Sequence, residues 1–121
     1  MLQNNKVLLT VISPTVRGTE GLDLVKKALA QQSFRSFEHI VALQEHPPKK
    51  GDYWTIYSDY NRAIKQAKGQ LIISWQDYTF AKPDTLEKFW YHFTQEPKTL
   101  VTGVGDKYTD DTWTVKVWAD P

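Results

Sequence analysis

The apolar positions of this chain change period several times, and each change marks an element. Lys6 to Ser13 (Lys-Val-Leu-Leu-Thr-Val-Ile-Ser) is a nearly continuous apolar run rich in β-branched residues and leucine, the pattern of a parallel strand covered on both faces. Pro14 is expected to end it, leaving Pro-Thr-Val-Arg-Gly as a loop. From Thr19 the period becomes helical, with Leu22, Val25, Ala28 and Leu29 on one face and Asp23, Lys26 and Lys27 on the other, which predicts an amphipathic helix ending near Gln32. Phe37 to Leu43 is a second short apolar run. The segment after it, Gln-Glu-His-Pro-Pro-Lys-Lys-Gly-Asp, has two prolines and a glycine and reads as a loop.

A helix is predicted from about Tyr57 to Lys68, with Tyr60, Ala63, Ile64 and Ala67 on one stripe and Gly69 as its C-terminal cap. Leu71 begins a third strand that runs into Asp77. Pro83 suits the first turn of a third helix whose buried face is Leu86, Phe89, Trp90 and Phe93. Thr99 to Val104 is a fourth strand candidate, Asp106 to Thr112 a polar turn, and Trp113 to Trp118 a last strand with one wet face. Strands alternating with helices predict an α/β fold: a Rossmann-like, mostly parallel sheet with helices on both faces, built from three βαβ units.

Composition narrows this picture without redirecting it. A chain of 121 residues holds one core and reads as one domain over 1–121. Its 40% hydrophobic and 24% charged residues are those of a globular protein. With 15 basic and 14 acidic residues, net +1, it carries no field that argues for nucleic acid. The absence of cysteine excludes disulfides and thiolate metal sites. No apolar run approaches the roughly 20 residues of a transmembrane segment and no signal peptide precedes the first strand, so the expected localisation is cytoplasmic. Five Trp and six Tyr are the unusual feature, suited to core, to sugar stacking or to an interface.

If the sheet is parallel, the loops after its first three strands leave the same edge, so Thr15 and Arg17, Gln44 and Glu45, and Asp77 converge on one cleft. Asp77 could hold a divalent cation bridging two phosphates, completed by phosphate oxygens and water, and Arg17 could add donors to the same anion. The plain alternatives stand beside these: Asp77 as the acceptor of an Asx-turn, Arg17 as a solvated cation, Gln44 and Glu45 as the start of a polar loop. Asn61 is a poor residue for a helix interior and faces either solvent or the cleft. His39, His46 and His92 show no metal-ligand spacing and read as structural or solvated, and Gly103-Val-Gly105 opens no helix, which makes it a weak phosphate-loop signal.

In order and spacing, the strand ending Ser13-Pro14-Thr15, the helix Gly-Leu-Asp-Leu-Val-Lys-Lys-Ala-Leu-Ala-Gln-Gln-Ser-Phe, the strand Phe37-Glu-His-Ile-Val, the segment Asn61-Arg-Ala-Ile-Lys-Gln-Ala-Lys-Gly69 and strand three running into Pro83-Asp84-Thr-Leu-Glu-Lys resemble the nucleotide-sugar-binding half of family 2 glycosyltransferases of the GT-A fold. The resemblance covers roughly the first hundred residues. It implies transfer of a sugar from a nucleotide-diphosphate donor to a hydroxyl acceptor. By position it also implies that Pro14, Thr15, Arg17, Gln44, Glu45 and Asn61 hold base and ribose, and that Asp77 contacts the diphosphate and a Mg²⁺ or Mn²⁺ ion.

The chain departs from the family at two places. It has Leu43-Gln44-Glu45 where paired aspartates are usual, and Gln76-Asp77-Tyr78 where the family has Asp-x-Asp. The family's catalytic base and acceptor site lie further along than most of this chain reaches, so the domain is expected to be partial and no catalytic residue is assigned. A catalytically inactive or partial GT-A-like binding or assembly module is the alternative. A phospho-receiver module also places an aspartate after strand three, but it needs an acidic pair where this chain has Ser13-Pro14-Thr15.

Overall fold

The computed structural model describes residues 6–15, 19–43, 56–101, 103, 106–108 and 116–119. Three strands, β1 (Leu9–Thr15), β2 (Phe37–Leu43) and β3 (Leu71–Ser74), form an all-parallel sheet in the order β2-β1-β3. Helix α1 (Thr19–Ala30) connects β1 to β2, and α2 (Ile56–Gln66) lies between β2 and β3. The chain thus leaves β1 toward one side, then returns past it to the other. Right-handed crossovers in opposite directions put their helices on opposite faces, and the two cores reflect this.

On one face Leu9, Val11, Ile73 and Trp75 pack with Val25, Ala28 and Leu29 of α1 and Leu86 of α3 (Thr85–Gln95). On the other, Ile12 and Ala42 pack with Ala63 of α2, joined by Ile40 and Tyr60. The α/β architecture with helices on both faces is therefore as the periodicity predicts.

Several boundaries differ, each for a physical reason. Pro14 does not end β1; it pairs in register with Ala42, and the strand continues to Thr15 opposite Leu43. In a parallel strand alternate residues direct both backbone polar groups to one neighbour or the other. Leu9 donates its N–H toward β2, to Ser36 O, whereas the carbonyls of Leu8 and Ile12 accept from the β3 side, from Leu71 and Trp75. Position 14 therefore addresses β3, where proline has no N–H to give. The β1–β2 ladder is untouched, and the β1–β3 ladder stops at Ile12↔Ser74 with the Trp75 N–H to Ile12 O bond of 2.9 Å. Proline here adds no bond on the β3 side and leaves the β2 side paired.

Gly69 is not a left-handed cap, since its φ lies outside that region. It is needed for space, because a Cβ there would stand 2.6 Å from Leu9 C and Thr10 N of the central strand. Helix α3 begins at Thr85 with Asp84 as N-cap residue, so Pro83 precedes the helix instead of opening it. The Asp84 side chain makes no capping bond. Lys88 holds it at 3.0 Å, and this hydrogen bond keeps the Asp84 carboxyl below the ordinary aspartate range. Of the expected α3 face only Leu86 is fully buried; Phe89 packs at the edge of the core. Trp90 is half-buried, its ring 5.8 Å from Phe34 and 5.4 Å from Phe93.

The third βαβ unit does not form among the described residues. Residues 99–101 and 103 are not in a strand. Asp106–Tyr108, expected as a turn, is β4, and it pairs antiparallel with β5 (Lys116–Ala119) in a separate two-stranded ribbon. No helix among the described residues is long and apolar enough to cross a membrane.

Candidate functional site

Strand order β2-β1-β3 makes the gap between the C-terminal ends of β1 and β3 the point where the winding of the sheet reverses. In open α/β sheets this is the crevice that takes ligands. The β1–β3 ladder ends at Ile12, three residues before β1 itself ends at Thr15, and proline at 14 has no N–H with which to extend it. Across the gap, Thr15 Oγ1 donates to Asp77 Oδ2 at 3.0 Å. Both are nearly inaccessible, 4% and 7% exposed, so an acidic side chain is held inside the protein at the reversal point.

The loop bearing Asp77 is pinned on both sides of it. Trp75 is buried, and its indole Nε1–H donates to Thr79 O at 2.8 Å, closing the loop on itself. Tyr78 N–H donates to Gly21 O in the first turns of α1 at 3.1 Å. Tyr78 has φ 61°, a left-handed conformation that costs a residue with a Cβ about 1–2 kcal/mol. Its ring lies against Gly21, where a Cβ would stand 2.9 Å from Cγ and 2.5 Å from Cε2. About half of the side chain remains exposed.

The sequence expectation that Thr15 and Asp77 converge is met in the geometry, and Pro14 lies buried beside Thr15. Asn61 is exposed on α2, and among the described residues no hydrogen bond joins it to Thr15 or Asp77. Arg17, Gln44 and Glu45 lie outside the described residues. Asp59 escaped the sequence reading. It is 7% exposed and pairs with Arg62, in the first turn of a helix that runs antiparallel to the strands. The signal was present, since Asp59 is one helical turn before Ala63 on the apolar stripe of α2.

One layer down on the same face of β1, Ser13 Oγ is 2.8 Å from Nε2 of His39 on β2. Ser13 is fully buried. Burial first, and then the charge of Lys26, lower the His39 pKa below its ordinary 6.5. The proton on His39 therefore favours the unfolded chain. Stability is complete above about pH 6.5 and falls as pH drops below it toward the folded-state value, where it levels off. Thermal melts from about pH 7.5 to about pH 5.5 are expected to show this decline and His39→Gln to flatten it; equal slopes in the two proteins would remove His39 as the cause.

Among the described residues no group of three or more His, Cys, Asp or Glu could hold a metal ion. What the arrangement offers chemically is a buried acidic side chain that accepts a hydroxyl donor across the sheet edge. No family model, curated protein or solved structure matches this chain.

Proposed function

We propose that this chain binds a nucleotide-diphosphate sugar in the crevice between β1 and β3 and serves as the donor-binding part of a glycosyltransferase that passes the sugar to a hydroxyl acceptor. The observation that carries the reading is the buried Thr15–Asp77 bond across the reversal point of a parallel sheet. The ordered resemblance to GT-A family 2 enzymes gives that carboxylate its ligand class. Pro14 and Thr15 would line the base and ribose side, with Arg17, Gln44, Glu45 and Asn61 assigned there by resemblance. Asp77 would face the diphosphate, and Mg²⁺ or Mn²⁺ would bridge them where the donor's own oxygens complete the shell. Transfer additionally requires a general base for the acceptor hydroxyl. Turnover by the chain alone would separate an enzyme from a donor-binding module.

Calorimetric titration with UDP-, GDP- and TDP-sugars, with and without Mn²⁺, is expected to give saturable binding for at least one donor. Asp77→Asn retains an acceptor for Thr15 but loses the charge. It should weaken that binding roughly ten- to a hundredfold, the scale of a lost charged hydrogen bond. No binding by the unaltered chain to any of these donors would remove the proposal.

A further inference from the structure

Asp77 can act at the crevice only if its loop stays where it is, and the loop is tied to another element, α1, through Gly21. We propose that Tyr78 and Gly21 form a latch that positions Asp77, with Tyr78 as a positioning residue and Gly21 as the seat that only glycine provides. This rests on the donor-binding reading for its consequence, but the latch itself is a structural claim that can be tested without any donor.

Three observations support it. Tyr78 adopts a left-handed backbone, which a residue with a side chain takes up only where its surroundings hold it there. Contacts with α1 contribute to this: the Tyr78 N–H to Gly21 O bond of 3.1 Å and the ring lying against Gly21. Gly21 is itself a costly choice, since it sits inside α1 where alanine would favour the helix. Its backbone lies outside the left-handed region, so no φ requirement explains it. What explains it is the ring, because a methyl group at position 21 would overlap Cγ, Cδ2 and Cε2 of Tyr78.

Asp77 is the residue immediately before Tyr78, and Trp75 closes the other side of the loop on Thr79. Lifting the ring off α1 would turn the peptide that carries the carboxylate and so disturb the 3.0 Å bond from Thr15. Tyr78 thereby couples the first turns of α1 to the carboxylate at the sheet edge.

The test uses the full chain with Gly21→Ala, Tyr78→Gly and the double variant. Gly21→Ala improves the helix and obstructs the ring. It should leave the cooperative unfolding transition intact, speed hydrogen exchange at the Tyr78 amide and the Trp75 indole N–H, and weaken donor binding roughly ten- to a hundredfold, as loss of an outer partner does for a bound group. With Tyr78→Gly already in place there is no ring to obstruct, so adding Gly21→Ala should change neither exchange nor affinity further. That non-additivity is what a general loss of helix stability would not produce.

Unchanged exchange at both protons in Gly21→Ala overturns the latch, and so does an equal effect of Gly21→Ala in both backgrounds. Faster exchange with unaltered affinity for a donor that the unaltered chain binds overturns the positioning of Asp77. If the unaltered chain binds no nucleotide sugar, the donor reading fails by itself, and the exchange results still decide the latch.

Discussion

Gly69→Ala is expected to lower the unfolding free energy by roughly 3 kcal/mol or more, at the upper end of the cost of overpacking. The added methyl would lie 2.6 Å from Leu9 C and Thr10 N and 2.8 Å from Leu9 Cα. These are backbone atoms of the central strand, paired on both sides, and they cannot turn aside as the end of a side chain would. Relief can come only from moving the segment between α2 and β3. That segment is tied to the sheet by its own hydrogen bonds: Gly69 N–H donates to Thr10 Oγ1 at 2.9 Å, and Lys68 N–H to Glu38 Oε2 at 2.6 Å. Thr10 Oγ1 also donates to Glu38 Oε2 at 2.7 Å.

Moving the glycine therefore strains the ladder or breaks this triangle, whose hydroxyl is completely buried. Against a total stability of about 5–15 kcal/mol, the melting temperature should fall by on the order of 10 °C or more. Urea unfolding followed by tryptophan fluorescence measures it. A loss below about 1 kcal/mol would mean that the segment can retreat freely and that the close approach is not what selects glycine.

Gly69 also shows what the sequence discloses and what it withholds. A glycine after the predicted helical stripe Tyr60, Ala63, Ile64 and Ala67, of which Ile64 is in fact exposed, marks the end of α2, and that much is legible because helix termination is a local event. Its reason is not local: the atoms that exclude a side chain belong to a strand about sixty positions earlier. Pro14 is the same kind of case. Whether a proline ends a strand depends on which neighbour its missing N–H would have addressed, and only the strand order β2-β1-β3 decides that.

The first five elements were readable because continuous β-branched runs and a 3.6-residue stripe follow directly from burial on two faces or one. Asp106-Lys-Tyr108 was not, because nothing in three polar-leaning residues favours a strand until β5 lies alongside. The site divides along the same line. That Thr15 and Asp77 share an edge follows from parallel strands alone. That the β1–β3 ladder stops short of Pro14, and that Tyr78 is folded back onto Gly21, depends on contacts between elements that no window of sequence contains.

Gln32 carries the second large expected effect, and it too is invisible in the sequence, where it is only the polar end of α1. It is 3% exposed, and both ends of its amide are hydrogen-bonded. Nε2 donates to Ala28 O at 3.3 Å and to Lys82 O at 2.8 Å, and Oε1 accepts from Leu86 N–H at 3.0 Å. Leu86 is the second residue of α3, and its N–H is one of the donors that no helix can satisfy from within. The Asp84 side chain does not supply an acceptor; a glutamine 54 positions earlier does. Gln32→Leu keeps the volume and removes all three bonds, leaving the Leu86 N–H and the Lys82 carbonyl without this partner at the α1–α3 contact. The expected cost is about 2–4 kcal/mol, the sum of one or two such groups.

Gln32→Glu separates hydrogen bonding from packing. An ionised carboxylate can accept from Leu86 but repels the two carbonyls, whereas the protonated acid donates to one of them. Burial raises the folded-state pKa of that acid above its unfolded value of about 4.3, so the variant's stability is present at low pH and is lost as pH rises through the folded value. Chemical denaturation of Gln32→Glu at about pH 5 and about pH 7 should therefore show the larger deficit at the higher pH. Gln32→Leu, having nothing to titrate at this position, should show a similar deficit at both. If Gln32→Leu instead unfolds within about 0.5 kcal/mol of the unaltered chain, the N-terminus of α3 finds another acceptor and the amide is not what joins α3 to α1.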